Sequence, residues 1–171
     1  MAPTTSTVEV VDEGMVIRFS FEDLLRYAGP GSPAGVAVAF QAMRCAFPHL
    51  DPHQPLERRQ IRIETAFRGP GARDGFELVT RSRTEDRYLV TEDLERPERG
   101  VTLAQFVFRL RYADRACTLM VREGLIADEF IALARKDDRS ADDERRFTAF
   151  KQAHAERLLA ARAEDVFDLD P

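Results

Sequence analysis

The sequence predicts an α+β domain, in which a mixed, mostly antiparallel sheet of about four strands packs helices on one side and is followed by a C-terminal helical extension. Two stretches carry this prediction. Residues 33–47 form an apolar run in which only Gln41 and Arg44 are strongly polar, as is typical of a helix buried among other elements. Residues 103–122 alternate apolar and polar side chains around a short turn at 113–114, which predicts an antiparallel hairpin.

The first part of the chain predicts a tail, a strand and a short helix. Residues 1–14 are small, polar and acidic, so we expect a flexible N-terminal tail. Residues 15–19 suit a short edge strand. Ser20, with Asp23 three positions later, resembles a capping box, which predicts a helix over 21–27 that leads into a glycine-rich loop.

The rest of the chain predicts further strands and helices. In order, these are a half-buried strand over 60–67, a short helix over 72–82, a weaker strand over 87–91, the hairpin, a helix over 126–136, and an amphipathic helix over 141–162 that Ser140 caps. The acidic end, 164–171, is expected to fray. We therefore divide the chain into a flexible tail (1–14), an α+β domain (15–136), and a C-terminal helix with an acidic tail (137–171).

Composition narrows the class of protein. The chain has 171 residues, 44% of them apolar and 32% charged, which is typical of a globular domain. Its formal net charge of -5 argues against nucleic acid as a partner, because binding phosphate backbones requires an excess of Lys and Arg on one face. The sequence contains neither a secretory signal nor an apolar run long enough to span a bilayer, so we expect a cytoplasmic protein with no membrane partner.

Two Gly-Pro-Gly loops, at 29–31 and 69–71, each precede a predicted helix. Ser32 suits the cap of the buried helix, and Pro33 suits its first position. If the two helix starts converge inside the molecule, free backbone N–H groups and nearby arginines can hold a carboxylate or phosphate. The candidate ligand-binding residues are Gly29, Gly31, Ser32, Arg68, Gly71, Arg73, Thr80 and Ser82, with Arg81 and Arg83 beside them. The plainer alternative is that the glycines only make turns, Ser32 only caps, and the arginines are solvated.

Metal binding has a single candidate in the sequence. His49, Asp51 and His53 offer three ligand types in a loop broken by prolines. A transition-metal site needs three or four fixed ligands, and no second ligand group accompanies these three. We therefore expect neither a metal nor another cofactor.

Nucleophilic catalysis needs a base beside the nucleophile. No histidine lies near Ser32, Ser82, Cys45 or Cys117 in the sequence, and His154 falls on the inner face of the last helix. We expect the two cysteines to be buried free thiols and His154 to be a packed side chain. Adjacency in the folded chain stays open at this point.

The predicted hairpin has a consequence for assembly. Long alternating strands leave sheet edges that can pair across a two-fold axis. We therefore expect a homodimer.

Two short motifs resemble those of the FmdE family of formylmethanofuran dehydrogenase proteins, in which the corresponding motifs read His-Gly-His-x-Cys-Pro-Gly and Thr-Gly-Cys-Thr. In this chain the motifs fall on Ala28-Gly29-Pro30-Gly31-Ser32-Pro33-Ala34 and on Thr80-Arg81-Ser82-Arg83. The glycine, the proline before the helix and Thr80 match the family pattern. The cysteine positions are Ser32 and Ser82, and the histidine positions are Ala28 and Pro30.

The resemblance spans residues 19–121 and implies an α+β domain with a mixed sheet. Serine hydroxyls and a proline do not replace thiolate and imidazole ligands of zinc or iron, and the family's C-terminal zinc ribbon has no counterpart here. The resemblance therefore implies a non-catalytic, metal-free binding or accessory protein that holds a small anionic molecule. Two alternatives stay open: an enzyme, hydrolase or transferase, that uses Ser32 or Ser82, and a purely structural partner protein.

Overall fold

A computed structural model describes residues 6–170 and confirms the α+β class. It has two sheets where the sequence predicted one sheet of about four strands. The strands are β1 (Thr7–Asp12), β2 (Met15–Ser20), β3 (Leu56–Glu57), β4 (Arg62–Thr65), β5 (Tyr88–Val90), β6 (Val107–Tyr112), β7 (Arg115–Val121) and β8 (Phe167–Asp170). The helices are α1 (Phe21–Ala28), α2 (Pro33–Leu50), α3 (Pro70–Thr80), α4 (Gly100–Leu103), α5 (Asp128–Arg135), α6 (Ala141–Ala160) and α7 (Ala163–Val166).

The larger sheet has five strands in the order β5-β4-β6-β7-β8. Only the β4/β5 pair is parallel, so the sheet is mixed and mostly antiparallel, as predicted. The predicted hairpin is its centre: in β6 and β7, Phe108 pairs with Leu119 and Leu110 pairs with Cys117. These four side chains are buried on the face that α2 covers.

The smaller sheet corrects the expectation of a flexible N-terminal tail. It has the order β2-β1-β3, and residues of the predicted tail form β1, in which Val8 and Val10 are buried. Glu13 and Gly14 join β1 to β2 with φ values of 50° and 79°, the left-handed conformation of a two-residue hairpin turn. The predicted strand at 15–19 is confirmed as edge strand β2. Residues 1–5 of the predicted tail lie outside the described residues.

Helix α2 is the centre of the molecule, and it packs against α1, α3, α6 and the larger sheet. Apolar side chains surround it on nearly every side, which confirms the burial that its composition predicted. Pro48 lies inside the last turn and does not end the helix, which extends to Leu50. Within residues 6–170, none of the helices combines the length and the apolar character that crossing a membrane requires.

The C-terminal segment is part of the fold. Ser140 caps α6 through a capping box with Asp143, as the Ser20–Asp23 pair does for α1. Residues 164–170 were expected to fray, but they form the end of α7 and strand β8, which pairs with β7. Phe167 in β8 is 1% exposed, and this burial explains why the acidic end is ordered. Pro171 lies outside the described residues.

Candidate functional site

The two helices that follow the Gly-Pro-Gly loops begin in contact with each other. Ser32 precedes α2 and Gly69 precedes α3, and each helix has proline at its first position. The first turns pack so closely that a Cβ added to Gly71 would lie 2.5 Å from the carbonyl oxygen and 2.7 Å from the Cβ of Ser32. A Cβ added to Gly35 would lie 3.0 Å from the backbone nitrogen of Ala72. Glycine is therefore required where the two helix starts touch.

Neither helix start carries a side-chain cap. Ser32 occupies the N-cap position of α2, but its side chain makes no capping hydrogen bond, and Gly69 has no side chain to cap α3. The first turn of a helix leaves several N–H groups without an intrahelical acceptor and carries the positive end of the helix dipole. Two such ends side by side favour a negative group nearby.

A cavity of about 380 Å³ lies beside this contact. Its walls come from the starts of α2 and α3, the loop before α3, the residues that lead into β6, and helices α5 and α6. The apolar lining residues include Val38, Phe67, Phe106, Ile126, Phe130, Ile131 and Phe147. The polar side chains among the lining residues are Ser32, Arg68, Gln105 and Lys151. The site is thus an apolar chamber with a few polar groups, the usual composition of a small-molecule pocket.

The charges at this cavity are all positive. None of the lining residues that the structure describes is acidic, whereas Arg68 and Lys151 are both present. One guanidinium nitrogen of Arg68 lies 3.3 Å from a carboxylate oxygen of Glu92, and the Arg68 side chain is 59% exposed. The ammonium of Lys151 lies 4.3 Å from the ring centroid of Phe147. Arg68 is in an exposed ion pair and Lys151 is over an aromatic ring. Both interactions are weak, so either cation can turn to a ligand anion.

Three of the eight predicted ligand-binding residues line the cavity, namely Ser32, Arg68 and Gly71. Gly29 instead ends α1, where its N–H donates to the carbonyl of Leu25 at 2.8 Å. Gly31 is exposed in the loop, and the Arg73 guanidinium donates to the neighbouring Asp74 carboxylate at 2.9 Å.

Thr80 and Ser82 lie at the other end of α3, which corrects the prediction that they share a pocket with Ser32. Eleven residues of helix place the two ends about 16 Å apart. The Thr80 hydroxyl bonds to Ser82 at 2.8 Å, and both side chains are fully buried. The sequence analysis grouped these two residues with the helix starts, whereas Thr80 is the last residue of α3 and Ser82 follows the helix.

Two arginine side chains donate hydrogen bonds to the backbone carbonyls at that end of α3. The Arg58 guanidinium donates to the carbonyls of Leu78 and Val79 at 2.5 and 2.9 Å, and Arg87 donates to the carbonyl of Thr80 at 3.0 Å. Positive side chains are the expected partners of a helix C-terminus.

Arg81 and Arg83 follow α3 and do not line the cavity. Arg81 adopts φ 56° as the residue that ends α3, and the backbone N–H of Arg83 donates to the Glu77 carboxylate at 2.7 Å. The cavity therefore includes neither arginine.

Within residues 6–170, none of the histidines hydrogen-bonds to Ser32 or Ser82. Both ring nitrogens of His154 are engaged: Nε2 accepts from the N–H of Ala127 at 3.0 Å, and Nδ1 lies 2.7 Å from the carbonyl of Phe150. Burial lowers the pKa of His154, which keeps the ring neutral. His49 is in the last turn of α2, about 26 Å along the helix from Ser32, and His53 follows it.

The cysteines and the histidine loop also lie outside the cavity. Burial raises the pKa of the Cys45 thiol to about 11 and raises that of Cys117, as expected for inert core thiols. In the loop after α2, the Asp51 carboxylate accepts from the N–H of His53 at 2.9 Å. Over residues 6–170, no three His, Cys, Asp or Glu side chains are grouped so that they could hold a metal ion.

Sequence reasoning missed the far wall of the cavity, to which Phe130, Phe147 and Lys151 belong. Phe130 lies in α5 and Phe147 in α6, and both pack at the core. Their spacing predicts which side of each helix is buried. It does not predict that a cavity remains between these two helices and the starts of α2 and α3.

Comparison with known proteins adds no relative to this description. The sequence matches no protein-family model, and no curated protein is significantly similar to it.

Proposed function

We propose that this chain is a metal-free, non-catalytic binding or accessory protein that resembles the FmdE family and holds a small anionic molecule. The molecule binds where the first turns of α2 and α3 meet, with backbone N–H groups as donors and Arg68 as the counter-charge. The observation that carries the proposal is the cavity of about 380 Å³ that opens beside these two uncapped helix starts. Its lack of acidic lining residues, in a chain of net charge -5, supports an anion as the ligand.

The absence of catalysis is supported by the surroundings of the two serines. Ser82 is fully buried and bonds to Thr80, so substrate has no access to its hydroxyl. Ser32 lies at the cavity, but the three histidines are engaged or distant. A serine nucleophile without a neighbouring base is a weak nucleophile. We therefore do not assign a hydrolase or transferase activity to either residue.

The proposal is tested by the melting temperature of the protein with sodium phosphate, acetate or benzoate, each compared with sodium chloride at the same ionic strength. A ligand that binds only the folded state raises the melting temperature in a saturable way. We expect stabilisation by at least one of the three anions, and we expect it to fall in Arg68→Gln. The matched control is Arg62→Gln, which removes an exposed arginine of β4 away from the cavity.

Two results would contradict the proposal. One is no stabilisation by any of the three anions in the wild-type protein. The other is a stoichiometric transition metal in protein purified without chelators, measured by elemental analysis.

The predicted hairpin, from which a dimer was expected, lies between β4 and β8 and offers no free edge. We also propose that the chain forms a homodimer, through the outer strand β5 of the larger sheet instead. Strand β5 is an edge strand, and Leu89 and Val90 within it are 54% and 37% exposed. Exposed apolar edge strands favour pairing with another chain. Light scattering at micromolar concentration is expected to give twice the chain mass, and Leu89→Arg is expected to halve it. A monomeric mass for the wild-type protein would refute the dimer.

A further inference from the structure

The interior of the cavity is aromatic. Four phenylalanines line it, namely Phe67, Phe106, Phe130 and Phe147, and we call the space between them the phenylalanine chamber. The Phe67 and Phe106 ring centroids lie 4.5 Å apart, and those of Phe130 and Phe147 lie 5.6 Å apart. An inorganic anion gains nothing from such walls, because they cannot replace its hydration shell. An apolar group gains from leaving water there.

Two positively charged side chains line the same cavity as the phenylalanine chamber. Arg68 comes from the loop before α3 and Lys151 from α6, so cations approach from two separate elements. A neighbouring cavity provides a contrast, because Ile126 and Ile131 line both. Its charged lining residues are of both signs: Arg99, Arg135, Glu123 and Asp128. Of these two cavities, the one with the phenylalanine chamber therefore combines apolar walls with charge of a single sign.

From this combination we infer that the ligand is a small organic acid with an apolar or aromatic body. The body occupies the phenylalanine chamber, while the carboxylate faces the helix starts, Arg68 and Lys151. A volume of about 380 Å³ lies within the range of small-molecule pockets. The inference rests on the proposed function, because it names the class of anion that the same site takes.

The test compares sodium acetate, butanoate, hexanoate and 3-phenylpropanoate by isothermal titration calorimetry. Each methylene that becomes fully buried strengthens binding by roughly fourfold. We expect at least tenfold tighter binding of hexanoate and 3-phenylpropanoate than of acetate. Hexanol and 3-phenylpropanol, which share the bodies but lack the charge, are expected to bind at least fivefold more weakly than the matching acids.

Two pairs of variants locate the binding. Ala134 lines the cavity and is exposed on α5, so Ala134→Phe fills the space without disturbing the core. Ala132→Phe is its control, since Ala132 is exposed on the same helix but lines the neighbouring cavity. Lys151→Gln removes a cavity cation, and Arg145→Gln removes an exposed cation of α6 outside the cavity. We expect only Ala134→Phe and Lys151→Gln to weaken hexanoate binding, each at least fivefold.

The outcomes separate this inference from the proposed function. If acetate binds as tightly as hexanoate and Arg68→Gln weakens both, the anion site stands and the apolar ligand class is wrong. If Ala134→Phe leaves hexanoate affinity unchanged, the body does not occupy the chamber and the inference is likewise wrong. If hexanol binds as tightly as hexanoate, the charge does not contribute and the inference is wrong. If neither these acids nor phosphate binds, the proposed anion-binding function itself fails.

Discussion

Gln41, in the middle of α2, donates from its side-chain nitrogen to the carbonyl of Leu158 at 2.6 Å and to that of Ala161 at 3.0 Å. The side chain is fully buried, and it holds the end of α6 against the central helix across 117 positions of sequence. Its oxygen accepts from Arg44 at 2.8 Å, so both polar residues of the apolar run belong to one network. The C-terminal helical extension is therefore held against the core by a buried side chain.

The Gln41 contact predicts a specific loss of stability. Gln41→Leu keeps the volume but leaves two carbonyls at the end of α6 without this donor, which we expect to cost about 1–3 kcal/mol in the free energy of unfolding. Urea denaturation followed by circular dichroism measures it. Gln152→Leu is the control, because Gln152 is exposed and its side chain bonds to Glu156 on the same face of α6, and it should change stability by no more than about 0.5 kcal/mol. Equal stability of Gln41→Leu and the wild type would contradict this account.

The contact between helix starts makes a second prediction, at Gly71. In Gly71→Ala the new methyl group meets the backbone of Ser32, so we expect a loss of about 1–3 kcal/mol in unfolding free energy. Gly31→Ala is the matched change in the other loop, where a Cβ meets nothing within 4 Å. That variant should be neutral or slightly more stable, because alanine restricts the unfolded chain. Thermal denaturation of the two variants side by side is the measurement, and equal melting temperatures would refute the close contact.

Strand β8 makes a third prediction, which concerns the acidic end. Phe167→Ala removes a ring that is 1% exposed and should cost about 3–5 kcal/mol. Leu169→Ala, two positions along the same strand, removes a side chain that is 45% exposed and should cost far less. Guanidinium denaturation provides both values. A frayed C-terminus would make the two substitutions equally mild.

His154 makes stability depend on pH. Burial is the largest cause of its lowered pKa; the bond to the Phe150 carbonyl opposes this shift, and the charge of Arg157 adds to it. Because the unfolded chain binds the proton more readily, the stability contributed by neutral His154 is present above the ordinary histidine pKa of about 6.5. It is lost progressively as the pH falls from there toward the folded-state pKa.

The measurement is urea denaturation between pH 7.5 and 5.5, in the wild type and in His154→Phe. The wild-type protein should lose stability over this range. The variant should have a shallower slope, whatever its absolute stability, because the proton uptake on unfolding is gone. Parallel slopes for the two proteins would show that another group titrates.

Local signals in the sequence determined much of the fold. The capping boxes at Ser20 and Ser140, the apolar run of α2 and the period-two hairpin of β6 and β7 are all present where predicted. Each depends on neighbours within a few positions, such as a serine hydroxyl three residues from its amide. β1 carried such a signal as well, since Val8 and Val10 alternate before the Glu13-Gly14 turn, but the polar composition around them suggested a tail.

Only the tertiary structure decided that the strands form two sheets, that β8 is ordered, and which residues line the site. Strand β8 is four residues long and becomes ordered only because β7 offers hydrogen bonds and the core accepts Phe167. The sequence did determine that two glycine-rich loops precede helices, which is a local property of their composition. Packing between residues distant in the chain decides whether those loops meet and how large a cavity remains beside them. It also decides how far Thr80 and Ser82, at the end of α3, lie from that cavity. No local pattern of residues encodes such distances.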